Sequence, residues 1–203
     1  MRAIGEPTRW VMALVLGMLA LVRPAAAYDP EEAFAKGTTV FGLQIGGGVH
    51  NNIEEQRVVS DISFVNFTPR VSHLFFSPFG SGLLRSAFEP GLEGWFQYYV
   101  SPESATAAGL KLAFRYHFIG LGRIVPYLEA NAGAGGTSLN VPEIDSTFTF
   151  VLEAGLGLAY FVTDNVAVNF GYRFQHISNG NTSSPNRGFN SDSGVLGVSY
   201  FFK

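Results

Sequence analysis

The sequence predicts an all-β fold, an eight-stranded antiparallel transmembrane β-barrel standing behind an N-terminal signal peptide that is cleaved. Three observations carry that prediction. Apolar side chains alternate with polar or small ones along about eight separate stretches. Charged residues make up only 14% of the chain, against about 25% in soluble domains. Beyond residue 27 no apolar run reaches the roughly 20 residues that a membrane helix needs. Apolar surface is therefore presented every second residue, the period of a strand.

Residues 1–27 read as the signal. Arg2 and Arg9 precede an apolar run over 10–22, followed by Arg23-Pro24 and the small residues Ala25-Ala26-Ala27. A basic start, a short apolar core and an A-x-A site define a secretory signal peptide; an uncleaved anchor is the alternative. Cleavage after Ala27 leaves residues 28–203 as one barrel domain. The chain has no cysteine, so neither disulfides nor thiolate-held metals support the fold. Net charge is −3 without a basic block, which argues against a nucleic-acid partner.

The expected strands are 38–49, 58–76, 87–100, 106–118, 125–138, 147–162, 165–178 and 191–202. In the first, Phe41, Leu43, Ile45 and Val49 oppose Gln44 and His50; the second is long and contains Pro69; in the third, Trp95 and Tyr99 share a face with Glu93 and Gln97. The fourth sets Leu110, Leu112, Phe114, Tyr116 and Phe118 against Lys111, Ala113, Arg115 and His117. The fifth sets Leu128, Ala130, Ala132 and Ala134 against Glu129, Asn131, Gly133 and Gly135. The sixth alternates most cleanly, with Phe148, Phe150, Leu152, Leu156, Leu158 and Tyr160 against Thr149, Glu153, Gly155 and Gly157. Gly120-Leu121-Gly122 and Thr163-Asp164-Asn165 read as tight turns.

Apolar-out and small-or-polar-in alternation over such spans fits a barrel in lipid, which closes because a bilayer satisfies no free strand edge. Eight strands leave a lumen filled by side chains. A soluble barrel or sandwich would reverse the faces and put the glycines outside, where a strand gains nothing from them. Lys111, Arg115, Glu129, Glu153 and Arg173 are then lumen residues expected to pair with one another. His50, His73 and His117 show no metal-ligand spacing and are expected at the barrel ends or in the lumen. No G-x-S-x-G, H-E-x-x-H or P-loop motif occurs, and no metal or organic cofactor is expected.

Placing both termini and the short turns on the periplasmic side sends the seventh strand outward. Its lipid-facing stripe Val166, Val168, Phe170, Tyr172, Phe174 then continues into His176 and Ser178 near the outer end. Polar groups facing hydrocarbon call for a partner. One reading is an interfacial histidine followed by a loop-starting serine. The other is a nucleophile beside its base, because residues i and i+2 share a strand face.

The segments VPYLEANAGAG (125–135), FTFVLEAGLGLAYFVTDNVAVNFGYRFQHISNG (148–180) and PNRGFNSDSGVLGVSYFF (185–202) resemble the lipid A deacylase family of outer-membrane barrels, the PagL-type 3-O-deacylases often labelled acyloxyacyl hydrolases. The most specific part is His-x-Ser-Asn at 176–179 followed by Pro185-Asn186-x-Gly188. The resemblance implies an eight-stranded barrel in the bacterial outer membrane, acting on lipid A or lipopolysaccharide of the outer leaflet as a serine esterase at the 3-O position. It implies Ser178 as nucleophile, His176 as general base and Asn179 as an oxyanion-hole residue. The orienting position falls on Asn190, where the best-known relative has glutamate, and Asp192 is the rival for that role. A non-catalytic structural or adhesive barrel is the alternative function.

Overall fold

In the computed structural model, which describes residues 28–53, 55, 59–144 and 146–203, the chain forms a closed eight-stranded antiparallel barrel. The strands are β1 (Thr39–Asn51), β2 (Ser63–His73), β3 (Ser86–Ser101), β4 (Ala105–Phe118), β5 (Ile124–Thr137), β6 (Phe148–Phe161), β7 (Val166–Ser178) and β8 (Phe189–Phe202). Each pairs with its neighbours in sequence, and β8 returns to β1. The expected signal peptide lies outside the described residues. Two bounds differ from the alternation reading in ways that matter. The second strand is shorter than 58–76, and β8 starts at Phe189 rather than 191, which brings Asn190 into the ladder.

Pro69 explains part of the irregular second strand. It lies in β2 opposite Leu43, but the β2–β3 ladder has no paired residues at Thr68 and Pro69. Proline has no N–H to give there. Across the gap, a Cβ on Gly94 would lie 3.0 Å from the Pro69 ring, so a glycine makes the room.

The inward faces carry an ion network. Arg173 donates from Nε to Glu129 at 2.6 Å and from Nη1 to Glu93 at 2.9 Å. Lys111 Nζ sits between Glu93 at 2.7 Å and Glu153 at 2.8 Å, and Arg115 Nε reaches Glu129 at 3.0 Å. Arg70 Nε lies 3.2 Å from Glu89, to which His117 also bonds. The five charges expected in the lumen are joined by Arg70, Glu89 and Glu93 from the less regular β2 and β3. Four cations thus face four carboxylates, and each charge of this network has an opposite partner. Inward glycines leave space for these long side chains. A Cβ at Gly133 would lie 2.6 Å from Lys111 Cγ, and one at Gly155 would lie 3.1 Å from Glu129 Oε1.

Apolar layers close both ends of this polar middle. At the end that carries both termini a short helix, α1 (Pro30–Ala33), is capped by Asp29 and carries proline in its first turn. It delivers the fully buried Phe34 between Phe161 and Phe201, with ring centroids 5.7 and 5.2 Å away. At the opposite end Ile62, Trp95, Tyr99, Val141, Ile144 and Phe189 are buried together. His117 lies in the lumen, while His73 and His50 lie near opposite ends, bonded to Thr39 and to the Ser60 carbonyl. No metal-holding cluster occurs among the described residues.

Candidate active site

Strand parity places the polar pair on the outer wall. Along β7, Arg173, Gln175 and Ile177 are buried toward the lumen, whereas His176 and Ser178 are half-buried on the opposite face. His176 stands opposite Leu152 of β6 and Asn190 of β8, and Ser178 stands opposite Phe150. His176 Nδ1 lies 2.8 Å from Asn190 Oδ1. An amide oxygen only accepts, so Nδ1 carries a proton, and in the neutral ring Nε2 is the nitrogen with the lone pair. A neutral imidazole held in that tautomer has Nε2 free to accept a proton.

The rival orienting residue is engaged elsewhere. Asp192 sits opposite Phe174, one strand repeat from His176. Tyr172 Oη donates to its Oδ1, and Asn51 Nδ2 donates to its Oδ2 at 2.6 Å. Of the two candidates, Asn190 is the one brought to the imidazole.

Asn179 occupies a different position from the one its expected oxyanion role requires. It is fully buried, and its Nδ2 donates to Ser183 O at 3.1 Å, Ser183 Oγ at 2.9 Å and Pro185 O at 3.2 Å. Its main-chain N–H donates to Asn186 Oδ1 at 2.7 Å. The physical reason is parity: one residue beyond the outward Ser178, the chain points inward, and the amide is used to fold the 179–188 loop.

That loop is anchored from outside β7 and β8. The main-chain carbonyl of Glu143, in the loop between β5 and β6, accepts from Arg187 N and Gly188 N at 3.0 Å each. The Glu143 carboxylate, itself buried, accepts from Ser60 N at 2.6 Å and Ser60 Oγ at 2.9 Å. Three outer loops therefore meet at one residue. Gly188, with φ +66°, then backs the imidazole: a Cβ there would lie 3.0 Å from His176 Cε1 and 3.3 Å from Nε2. Sequence reasoning gave Glu143 no role, since a bond between loops leaves no periodic signal.

His176 and Ser178 open into a groove of about 590 Å³ lined by Leu110, Leu112, Ala132, Ala134, Phe150 and Leu152. The register explains its shape. Ala132 lies between Leu112 and Leu152, and Ala134 between Leu110 and Phe150, so alanines floor a trough between larger side chains. The alternation showed these alanines facing outward, but only the register shows that their neighbours stand above them. The site can hold an acyl chain beside a hydroxyl and a base.

Fold and site together define an outer-membrane type β-barrel with its polar constellation on the lipid-facing wall. The chain belongs to the lipid A 3-O-deacylase (PagL) family, whose model matches residues 79–199, more than half of its length. Among solved structures it is similar to the outer membrane enzyme PagL, at 19% identity over 76% of this chain and 97% of that one, with a TM-score of 0.54. It is similar to Neisserial surface protein A at 20% identity over 82% of this chain and 100% of that one, with a TM-score of 0.53. At such identities these two likenesses establish the fold. No curated protein matches the chain.

Proposed function

We propose that this protein is a serine esterase of the bacterial outer membrane that hydrolyses the 3-O-linked acyl chain of lipid A. The observation that carries the reading is the His176–Asn190 bond on an outward face that also presents Ser178 to an apolar trough. Similarity to both an enzyme and a surface protein shows that the barrel alone does not separate catalysis from a structural role. The oriented base beside a hydroxyl favours catalysis.

Lipid A diffuses laterally to the wall and lays its acyl chain over Ala134 and Ala132. Ser178, two residues and about 6.6 Å along the backbone from His176, attacks the ester carbonyl carbon through Oγ, its proton passing to His176 Nε2 as the two side chains on that shared face come within hydrogen-bond reach. The tetrahedral intermediate collapses, and Nε2–H protonates the departing sugar 3-hydroxyl. Water, activated by the same Nε2, then releases the fatty acid from Ser178. A donor for the oxyanion is assigned to loop main chain, with Gly180 N–H the first candidate, because Gly180 packs against the Phe150 ring that lines the trough. Asn190 accepts from Nδ1 throughout, as asparagine does in Cys-His-Asn enzymes.

Residues 1–27 are assigned as the signal peptide, so N-terminal sequencing of the membrane-extracted protein should begin at Tyr28. The function is tested by mass spectrometry of lipid A from cells whose native lipid A carries a 3-O-acyl group. Expression of the wild-type chain should remove one acyl mass, and Ser178→Ala, inserted to the same level, should leave lipid A intact. Identical lipid A in the two strains would refute the esterase.

A further inference from the structure

We propose that the turn joining β2 to β3 is a binding site for an anionic phospholipid of the periplasmic leaflet, with Lys36 taking the phosphate and a phenylalanine cluster taking the acyl chains. The turn spans residues 74–85, whereas the two other links at that end, 119–123 and 162–165, are five and four residues long. Short turns are the rule on the periplasmic side, so the extra length calls for a reason.

Its composition supplies one. Phe75, Phe76, Leu83 and Leu84 are 54, 58, 69 and 72% exposed, as open as Leu110 and Leu112 on the lipid-facing wall at 65 and 55%. Large apolar side chains held this open on one turn mark a membrane or partner contact. The turn also has a defined shape. Phe79 and Ser86 exchange two main-chain bonds of 2.9 and 2.8 Å, and Arg85 Nη1 donates to Gly80 O at 3.1 Å.

The patch continues the barrel's lipid-facing surface. The Phe79 ring meets Tyr116 edge-on with centroids 5.8 Å apart, and Phe88 stacks on Phe114 at 6.1 Å. Both partners lie on the outward face of β4. Between turn and wall runs a groove of about 600 Å³ lined by Lys36, Phe75, Phe76, Ser77, Phe79 and Phe88. One ammonium at the rim of an aromatic groove matches one phosphate above two chains, and aromatic rings are the side chains that settle at membrane interfaces. The neighbouring cation, Arg85, is held by Glu31 through two bonds of 2.6 Å, leaving Lys36 as the groove's positive charge. Burial of the chains on phenylalanine and attraction of the phosphate to lysine act together here.

The test uses the full-length protein reconstituted in phosphatidylethanolamine–phosphatidylglycerol vesicles. Phe76→Trp is read against the native Trp95 signal, with Leu112→Trp as the membrane control and Asp164→Trp as the aqueous control. Brominated lipid should quench the tryptophan at 76 as it quenches the one at 112. Behaviour like that of position 164 would overturn the proposal. Quenching that disappears as the protein-to-lipid ratio rises would assign the patch to a second copy and overturn it as well. Brominated phosphatidylglycerol should quench position 76 more strongly than brominated phosphatidylethanolamine. Adding Lys36→Gln should weaken the phosphatidylglycerol preference about fivefold. An unchanged preference would refute the role of Lys36.

Discussion

Removing the acceptor behind His176 tests how the site manages without a carboxylate. In Asn190→Ala the 2.8 Å bond to Nδ1 is lost, and nothing then selects the tautomer that leaves Nε2 free. The net worth of a neutral hydrogen bond is about 1 kcal/mol. With tautomer control added, the expected fall in kcat is about 10- to 100-fold, or roughly 1.4–2.7 kcal/mol in barrier height. That is far below the roughly 10⁴ lost when a serine protease exchanges its aspartate for asparagine, because here no charge opposes the imidazolium to begin with. Asn190→Asp should act in the opposite direction. A charge-assisted bond is about twice as strong as a neutral one, so turnover should rise severalfold. The assay is fatty-acid release from purified lipid A in mixed micelles, with thermal unfolding followed in parallel. Asp192→Ala serves as the comparison, since both of its carboxylate oxygens bind Tyr172 and Asn51. If Asn190→Ala keeps full turnover while Asp192→Ala abolishes it, the assignment of the orienting residue is wrong.

Three further outcomes follow from the site's surroundings. Gly188→Ala should cut turnover by at least tenfold and lower stability clearly, because the new methyl lies 2.8 Å from the Ile177 carbonyl oxygen and 3.0 Å from the imidazole, and the +66° φ costs about 1–2 kcal/mol for a side-chain-bearing residue; wild-type turnover in the folded variant would show that the glycine does not set the ring's place. Ala132→Phe should fill the trough and lower the rate on long-chain esters while sparing short-chain esters, as read from chain-length profiles; equal losses on both would remove the trough from the mechanism. Glu143→Ala should lower kcat and raise protease cleavage within 179–188, with partial recovery in Glu143→Gln, whose amide oxygen can still accept from Ser60; loop cleavage at the wild-type rate would deny it the anchoring role.

What could be read from the sequence follows where one period governs both chain and environment. From Phe148 to Tyr160 the bulky apolar side chains keep to the lipid face and small or polar ones to the lumen, Val151 in the apolar end layer excepted, and the barrel shows that parity. The same rule put His176 and Ser178 outward. It also held the means to place Asn179, since a residue one step past an outward serine points inward, but the resemblance to a known family drew that residue toward a donor role instead. Pro69 blurred β2 because it breaks a ladder on one side only. Helix α1 was too short for any periodicity, although Asp29-Pro30-Glu31-Glu32 carries its capping signals. Glu143 and the trough were beyond reach for a common reason. Both arise from strands and loops far apart in the chain, and register sets them.

The account's central claim is that Ser178 is a nucleophile presented to acyl chains on the barrel's outer wall. The direct measurement is covalent labelling of the vesicle-embedded protein with a long-chain fluorophosphonate, followed by mass analysis of the tryptic peptide 174–187. The predicted result is stoichiometric modification of Ser178 that is lost in His176→Ala. Labelling of a different serine, or of Ser178 at the same rate without the histidine, would contradict it.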